Sequence, residues 1–350
     1  MKELSLAETI DALCGRRCAF ALYRLPGGRK DIFCMQADGR CCDAEETHRT
    51  MMQPEGAAFI ITPFDSRPIC MKSECDTPPR PGRFKPLKPV MQGEPVSRER
   101  YHELFEYYKA LVAEGQGGLR KLVLARCLDV PMPDAFSPYE AFRRSCELSP
   151  HTFNALIHTP DTGTWLCNTP ELLMRGCADD WETMALAGTR RISIAPWDDK
   201  NRQEQALVVE HVRRSVSHYT EQLQMPPAES LPAGEIEHLC SRMSFRMSPH
   251  LLPRLLDELH PTPAVSGYPV TTSLELLRAK PDITRGCYAG YLGPIDPNGA
   301  QFFVMLRCMQ IGRDGCRLYA GGGIMPDSIE EEEWLETEAK MRPMLTLLNR

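Results

Sequence analysis

The sequence lacks the features that mark membrane, secreted and nucleic-acid-binding proteins. No segment approaches the run of about eighteen apolar residues that a membrane-spanning helix needs. Acidic side chains occur too early at the N-terminus for a secretory signal, so we expect a cytoplasmic protein with no membrane partner. The 41 basic and 47 acidic residues give a formal net charge of -6, and no long basic stripe with interleaved aromatic residues is present. We therefore expect no nucleic-acid partner.

The 15 cysteines do not form a recognisable disulfide or zinc framework. Their number is odd, and no two of them make a CxxC pair. The closest groupings are Cys14/Cys18, Cys41/Cys42 and Cys70/Cys75. These spacings do not suit a structural zinc site. Because 350 residues can bury a large core without disulfides, we expect reduced thiols that fill small apolar positions.

The order of strand-like and helix-like segments favours an α+β protein, since the segments show neither strict βαβ alternation nor an internal repeat. The sequence predicts strands at 18–23, 32–35, 57–62, 121–130, 152–158, 164–168, 171–175, 183–187, 235–247, 288–292, 302–311 and 317–320. It predicts helices at 6–14, from near 97 to 115, at 138–148, from 198 to about 223, at 249–259 and after 328. Serine N-caps are expected at Ser5, Ser97, Ser137, Ser248 and Ser328. Residues 77–95, rich in proline and basic side chains, are predicted to form a surface loop.

One segment near the C-terminus combines three glycines with a strongly acidic helix. Gly321–Gly323 precede the N-cap Ser328, and the glutamates that follow complement the helix dipole. Glu333, Glu336 and Lys340 stand at i, i+3 and i+7 and therefore point to one side. Exposed glycine backbone beside two carboxylates and an ammonium would suit a hydrated divalent cation and an anionic ligand. A solvated acidic face with an ordinary Glu336–Lys340 pair is the alternative.

Three other charged residues stand where a strand or helix becomes apolar. Lys121 heads an apolar strand, either as an edge charge or as a desolvated lysine able to take a proton at neutral pH. Glu171 precedes three apolar residues, either as a solvated turn residue or as a buried acid with a raised pKa. Glu204 precedes four apolar residues of a helix. It is either solvated or, with Glu336 on another helix, part of a carboxylate pair of the kind that Mg²⁺ accepts.

A second group of residues is suited to an anionic ligand. Arg307 ends an apolar strand, where its guanidinium either binds a ligand carboxylate or bonds to the C-terminal helix. Gly188 would let a ligand approach the backbone and Thr189 could bond to it, although Gly-Thr alone is a weak motif. His238 is interpreted as a buried strand histidine unless a ligand lies beside it.

The order of these segments is more informative than any one of them. It reads K-L-V-L-A-R, T-P-E-L-L, L-A-G-T-R-R, D-x-K-x-R-x-E, H-P-T-P-A-V-S-G-x-P, R-G-C-Y-A-G-Y-L-G, V-M-L-R and A-G-G-G-I…E-W-x-E-T-x-x-K. Over residues 97–345 this series closely resembles the chorismate-utilising enzymes, which include isochorismate, salicylate, anthranilate and aminodeoxychorismate synthases. The resemblance implies a Mg²⁺-dependent α+β protein: a single large domain of two stacked, mostly antiparallel sheets flanked by helices. Residues 1–95 would be a weakly recognisable part of that domain, and residues 96–350 its chorismate-binding catalytic region.

Carried over by position, the resemblance implies a role for each candidate. Lys121 matches the residue that activates water for attack on ring carbon 2 of chorismate, and Glu171 matches the acid that protonates the hydroxyl leaving carbon 4. Glu204 and Glu336 match magnesium ligands, and Glu333 matches a carboxylate that contacts the metal through water. The positions that match the lining of the substrate site are Gly188, Thr189, His238, Ala264, Tyr288, Arg307, Gly321 and Lys340.

Two positions sort members of the family. Anthranilate synthases carry glutamine where Lys121 stands, which suits ammonia, whereas lysine favours water as the nucleophile. Salicylate and anthranilate synthases usually carry threonine where Ala264 stands, and isochorismate synthases usually carry alanine. We therefore expect an isochorismate synthase of menaquinone or siderophore biosynthesis, with no glutamine amidotransferase partner. A salicylate synthase and a catalytically silent chorismate-binding subunit are the alternatives.

The chain departs from the family pattern at three positions near the site. Gln205 replaces the histidine that often follows the first magnesium glutamate, which would alter the support of that ligand. Gly322 replaces a usual alanine, and Arg191 shifts the pattern after Gly-Thr. None of these changes removes a catalytic group, so we expect an active enzyme.

Overall fold

The computed structural model describes residues 19–27, 32–37, 42, 44–72, 93–313 and 315–349. Within these ranges the α-helices are α1 Ala44–Met52, α2 Arg98–Glu114, α3 Pro138–Leu148, α4 Asp199–Ser217, α5 Leu252–Leu259, α6 Val270–Ala279 and α7 Glu330–Leu348. The strands in the first half are β1 Ala19–Arg24, β2 Phe33–Ala37, β3 Ala58–Thr62, β4 Ile69–Lys72, β5 Lys121–Pro131, β6 Phe153–Thr159, β7 Gly163–Thr169 and β8 Leu172–Cys177. The strands in the second half are β9 Asp180–Arg191, β10 Leu223–Gln224, β11 Glu229–Ala233, β12 Ile236–Arg246, β13 Gly267–Tyr268, β14 Tyr291–Asp296, β15 Gly299–Val304, β16 Cys308–Ile311 and β17 Gly315–Ile324.

The strands form two sheets in which every neighbouring pair is antiparallel. The first sheet has the order β13-β5-β17-β16-β7-β6-β1-β2. The second has the order β10-β12-β9-β8-β15-β14-β3-β4, with β11 paired to β12. β1 pairs with β6 and β3 with β14, so the N-terminal strands extend both sheets. This α+β architecture confirms the fold class expected from the sequence.

The main core lies between the sheets. Side chains that alternate along β6, namely Phe153, Ala155 and Ile157, point into it, as the two-residue period of a strand requires. Phe153 stacks on Phe303 of the other sheet, with ring centroids 4.2 Å apart and planes 4° from parallel. This contact joins the sheets through aromatic surface in the geometry that such rings prefer.

Helices cover the outer faces of the sandwich. α3 and α7 contribute Phe142, Met341 and Met344 to a second cluster on the first sheet. α2 covers the β5–β17 corner through an apolar stripe that includes Tyr101 and Phe105. None of the helices in the described ranges is long and apolar enough to cross a membrane.

Local sequence signals located several elements correctly. The helix predicted at 138–148 has those bounds, and Ser137 caps it by accepting a hydrogen bond from the Glu140 amide. Ser97 caps α2 in the same way through the Arg100 amide. The strands predicted at 152–158 and 164–168 are present as β6 and β7, which pair with each other as a hairpin. The predicted helix at 6–14 with its Ser5 cap, and most of the 77–95 loop, lie outside the described residues.

Five local predictions were wrong. The apolar run 302–311 is two strands, β15 and β16, because the backbone turns at Arg307 with φ 45°. The helix predicted to reach about residue 223 ends at Ser217, and β10 follows it. Ser328 does not cap α7, whose N-cap is Ile329 without a side-chain bond, and Ser248 likewise makes no capping bond. Tyr288 lies in a turn before β14 rather than in the strand predicted at 288–292.

A buried ion pair continues the edge of the first sheet beyond the two-residue strand β13. Asp282 accepts a hydrogen bond of 2.7 Å from the Ala125 amide, so a side chain takes the place of a neighbouring strand. Arg285 lies 2.6 Å from Asp282 and donates to the carbonyls of Val123 and Val265. The pair therefore fixes β5 against the loop before β13.

Removing one member of this pair should be costly because the other would remain buried and uncompensated. We expect Asp282→Ala to lower the free energy of unfolding by about 3–5 kcal/mol in urea denaturation. Asp65→Ala is the matched control, since Asp65 also lies 2.6 Å from an arginine, Arg278, but both side chains are more than half exposed. The control should lose less than about 1 kcal/mol. Equal losses in the two variants would contradict a structural role for the buried pair.

Candidate functional site

One cavity between the sheets brings together residues that are far apart in the sequence. Ten of the thirteen predicted site residues line it: Glu171, Gly188, Thr189, Glu204, His238, Ala264, Tyr288, Arg307, Gly321 and Lys340. Of the other three, Lys121 and Glu336 form ion pairs with the lining residues Glu204 and Lys340, whereas Glu333 pairs with Lys200, which does not line the cavity. The site is built from β5 and β17 of the first sheet, β9 and β12 of the second, and the helices α4 and α7.

The three glycines lie in β17, opposite Val123 to Ala125 of β5, so this strand continues beyond the predicted end at residue 320. Gly321 and Gly323 face the cavity, while Gly322 faces the other way. β16 pairs with β17 only as far as Tyr319, so the second edge of the glycine backbone is free of a neighbouring strand. Lys340 uses that opening and donates a 2.9 Å hydrogen bond to the Gly321 carbonyl.

Each glycine makes room for a particular side chain of the site. A Cβ at Gly321 would lie 2.9 Å from the Tyr288 hydroxyl, and one at Gly322 would lie 2.7 Å from Glu333 Oε2. A Cβ at Gly323 would overlap Lys121 Cε and lie 2.5 Å from Glu204 Oε1. The absence of side chains at these three positions therefore allows the neighbouring polar and charged side chains to pack against the strand.

The acidic candidates are each paired with a different lysine. Lys121 Nζ lies 2.8 Å from Glu204, and Lys340 Nζ lies 2.6 Å from Glu336. Lys200 Nζ lies 2.6 Å from Glu333 and joins α4 to α7. Because each carboxylate faces its own lysine, the three do not form a closed ligand cluster of oxygens within 4.8 Å of one another in the described chain.

Burial and these pairings act in opposite directions on the carboxylates. Burial raises the pKa of Glu204, but the charge of Lys121, together with those of Lys340 and Lys200, outweighs it, so that pKa is lowered overall. Burial raises the pKa of Glu333 to about 7, and the nearby charge of Glu336 adds to this rise. Lys200 and the Ser328 hydroxyl partly oppose it.

Lys121 is fully buried, and the ion pair with Glu204 is its only polar contact in the described part of the chain. The ammonium nitrogen has no hydrogen bond of good geometry there. Its hydrogens are therefore available to a ligand in the cavity.

Glu171 is the buried acid that the sequence suggested. Its exposed fraction is 2%, and burial raises its pKa to about 8, although Lys121 and Lys340 act to lower it. A carboxyl group with this pKa is protonated at neutral pH and can donate a proton.

Arg307 and His238 both line the cavity and are joined by a hydrogen bond. Arg307 Nη2 donates to His238 Nε2 at 2.8 Å, so His238 Nδ1 carries the proton and donates to the Gly188 carbonyl at 3.1 Å. Burial and the Arg307 charge keep the pKa of His238 well below its usual range. Burial lowers the pKa of Arg307 to about 10, and no described carboxylate pairs with it. This part of the cavity therefore presents an uncompensated cation.

Two residues near the site were missed as participants in the sequence analysis. Lys200 stood in the D-x-K-x-R-x-E pattern without a role, and its i, i+4 spacing to Glu204 was the available signal. Asn201 accepts a hydrogen bond from the Thr189 amide at 2.9 Å and packs beside Gly188, whose φ is 74°.

Gln205, which replaces the histidine usual in the family, bonds to Ser241 at 2.8 Å. This departure from the family pattern is therefore accommodated between α4 and β12.

Residues 76–349 match the sequence profile of the chorismate binding enzyme family. The chain belongs to this family. Isochorismate synthase MenF of Escherichia coli is 30% identical over 259 residues, which cover 70% of this chain and 59% of that protein. The salicylate biosynthesis isochorismate synthase of Pseudomonas aeruginosa is 32% identical over 286 residues, covering 77% and 60%. Isochorismate synthase DhbC of Bacillus subtilis is 30% identical over 313 residues, covering 83% and 77%. The chain thus spans about three fifths of the length of the first two relatives.

Solved structures share the architecture at lower identity. The Escherichia coli MenF structure aligns with a TM-score of 0.82 at 21% identity, over 99% of this chain and 92% of that one. Anthranilate synthase component I of Streptococcus pneumoniae aligns with a TM-score of 0.68 at 16% identity, over 94% and 90%. The fold of the family is therefore common to members with different reactions.

A methyl group at Gly323 should disable the site because it would displace both Lys121 and Glu204. We expect Gly323→Ala to lower turnover of the substrate proposed below about a hundredfold, the scale of a 1 Å misplacement. Gly56→Ala is the matched control, since a Cβ at Gly56 meets nothing within 4 Å. Steady-state kinetics of the two variants would check this. Near-normal turnover in Gly323→Ala would show that the Lys121–Glu204 arrangement is dispensable.

The raised pKa of Glu171 predicts a pH-dependent effect on stability. The folded protein keeps this proton up to about pH 8, whereas the unfolded chain releases it near its ordinary value of 4.5. The folded state therefore binds more protons between these values, and its stability falls as the pH rises from 4.5 to about 8. Glu171→Gln cannot ionise, so its melting temperature relative to wild type should increase across this window. A constant difference between pH 5 and pH 8 would contradict the raised pKa.

Proposed function

We propose that this protein is an isochorismate synthase that converts chorismate to isochorismate with Mg²⁺. In this reaction water adds at ring carbon 2 and the hydroxyl at ring carbon 4 departs. The observation that carries the proposal is the proximity of two buried ionisable groups: Glu171, which lines the cavity just before β8, and Lys121 at the start of β5, which pairs with the cavity residue Glu204. The ammonium charge of Lys121 is close enough to act on the Glu171 carboxyl.

The two groups suit opposite proton tasks. Glu171 holds a proton at neutral pH and would give it to the departing hydroxyl. The amine of Lys121, whose Nζ lies 2.8 Å from the Glu204 carboxylate, would accept the proton of the attacking water. Each turnover would thus move one proton onto Lys121 and one from Glu171, and exchange with solvent would restore both groups.

The cavity also meets the charge requirement of a dianionic substrate. Arg307 has no carboxylate partner among the described residues, and Lys340 faces the same space. These cations, with the Thr189 hydroxyl and the glycine backbone, would offset the loss of hydration of two carboxylates. Tyr288 and Ala264 would contact the ring from the remaining sides.

The donor set fits magnesium. Glu204 and Glu336 would hold the ion and Glu333 would contact it through water, since carboxylate oxygens are the ligands that Mg²⁺ prefers. The charges of all three carboxylates already act on the Lys200 ammonium, so this region favours a cation. A bound Mg²⁺ would act as a Lewis acid toward a substrate carboxylate.

Two side chains decide between related reactions. Lys121 in place of glutamine favours water over ammonia, so no amidotransferase partner is required. Ala264, which lines the cavity where salicylate and anthranilate synthases usually carry threonine, favours release of isochorismate without loss of pyruvate. These residues support isochorismate synthase over the salicylate synthase alternative.

One assay tests the proposed function. Purified protein is incubated with chorismate and Mg²⁺, and the products are separated by chromatography. We expect isochorismate as the product, its loss on adding a chelator, and no isochorismate from Lys121→Gln, whose circular dichroism spectrum should still be that of a folded protein. Lys72→Gln, which alters an exposed lysine paired with Glu46, is the matched control and should remain active. Salicylate and pyruvate as main products would indicate a salicylate synthase, and no turnover would indicate a silent chorismate-binding subunit.

A further inference from the structure

Lys200 is a charged residue at the site to which the proposed reaction gives no task. It lies in the first turn of α4, four residues before Glu204, and its side chain is 27% exposed. Its ammonium nitrogen lies 2.6 Å from Glu333 Oε1. In the described part of the chain this is the only hydrogen bond or ion pair that joins α4 to α7. These two helices carry the proposed metal ligands Glu204 and Glu336.

Glu333 is held in place without help from Lys200. The Ser328 hydroxyl donates a 2.7 Å hydrogen bond to the same carboxylate oxygen that Lys200 contacts. The other oxygen lies against Gly322, where a Cβ would come within 2.7 Å of it. With an exposed fraction of 2%, Glu333 is fixed by its own helix, by β17 and by Ser328. The contribution of Lys200 is therefore its charge rather than the orientation of the carboxylate.

The surroundings of Lys200 resemble those of a bound cation. Burial alone would lower its pKa, but Glu333 first, and then Glu204 and Glu336, act against burial and raise it. The other two lysines of the site belong to other elements and have their own partners, Lys121 with Glu204 and Lys340 with Glu336. Of these three lysines, Lys200 is the one that forms an ion pair between α4 and α7. Its partial exposure gives the ammonium a path to solvent.

We propose that Lys200 is an internal counter-ion that competes with the divalent cation for the acidic region between α4 and α7. The inference rests on the metal site of the proposed function. A cation that binds Glu204 and Glu336 must overcome repulsion from this ammonium, which can be relieved when the side chain turns toward solvent. Lys200 thereby limits how tightly the protein binds a divalent cation when no anionic substrate is present.

Substitution of Lys200 by a neutral residue of similar length tests the proposal without an activity measurement. Mn²⁺ serves as the probe, because free Mn²⁺ can be followed by electron paramagnetic resonance in titrations of substrate-free protein. Lys200→Met should bind Mn²⁺ about tenfold more tightly than wild type, since one repelling charge is removed. Lys200→Arg keeps the charge and should match wild type. Lys72→Met is the control for loss of a lysine paired with a glutamate elsewhere, and it should also match wild type.

The outcomes separate this inference from the proposed function. Unchanged or weaker Mn²⁺ binding by Lys200→Met would overturn it, and weaker binding would show that the Lys200–Glu333 bridge organises the site instead. Absence of binding in both Lys200→Met and wild type would overturn it as well. Product formation from chorismate is measured independently, so an active wild-type enzyme combined with either result would reject the counter-ion role alone.

Discussion

The missing side chains of Gly321, Gly322 and Gly323 are the constraint on which the rest of the site depends. A strand normally carries a side chain at every residue, and each Cβ here would strike Tyr288, Glu333, or Lys121 together with Glu204. Glycine weakens a strand because it loses more conformational freedom on folding. The loss is offset by continuous pairing of β17 with β5 along its whole length. The strand thus provides a bare surface against which α7 and the side chains of Glu204 and Lys121 can pack.

That arrangement balances charges that would otherwise oppose folding. Three glutamates and three lysines meet in one-to-one pairs, so no single charge of this group is left without a partner. Arg307 and Glu171 do not belong to these pairs. Arg307 remains charged and has no carboxylate partner among the described residues, and Glu171 remains protonated. The two uncompensated groups are those that a dianionic substrate and a departing hydroxyl would need. The cost of keeping them buried is met by the sandwich core and by structural pairs such as Asp282–Arg285.

Local signals in the sequence predicted much of the fold, and the failures have identifiable physical causes. Serine followed by proline predicted α3 to the residue because capping and proline geometry act within one turn. Residues 302–311 were predicted to be one strand because apolar side chains continue through the bend, which depends on the positive φ of Arg307. The glycine run was placed outside a strand because glycine has a low strand propensity, and only the long-range pairing with β5 overrides it.

The prediction of the candidate site likewise succeeded for patterns along the chain and failed for contacts between distant residues. The sequence identified the charged residues that line the cavity, since their order along the chain resembles that of a known family. It did not identify Lys200–Glu333, because that contact joins residues 133 positions apart and depends on how α4 faces α7. Short-range patterns contain no information on such a pair. The N-cap assigned to Ser328 failed for a related reason, since its hydroxyl bonds to Glu333 instead of the helix amides.

The shared fold with anthranilate synthase component I leaves the choice of reaction to a few side chains. The comparison shows that the overall fold is shared, so the fold alone does not specify a reaction. Lys121 is different, because its length brings Nζ to 2.8 Å from Glu204 while its stem packs against Gly323. A shorter, neutral glutamine would neither pair with Glu204 in this way nor accept a proton from water. In the proposed reaction, Lys121 and the glycine that makes room for it would therefore specify the nucleophile.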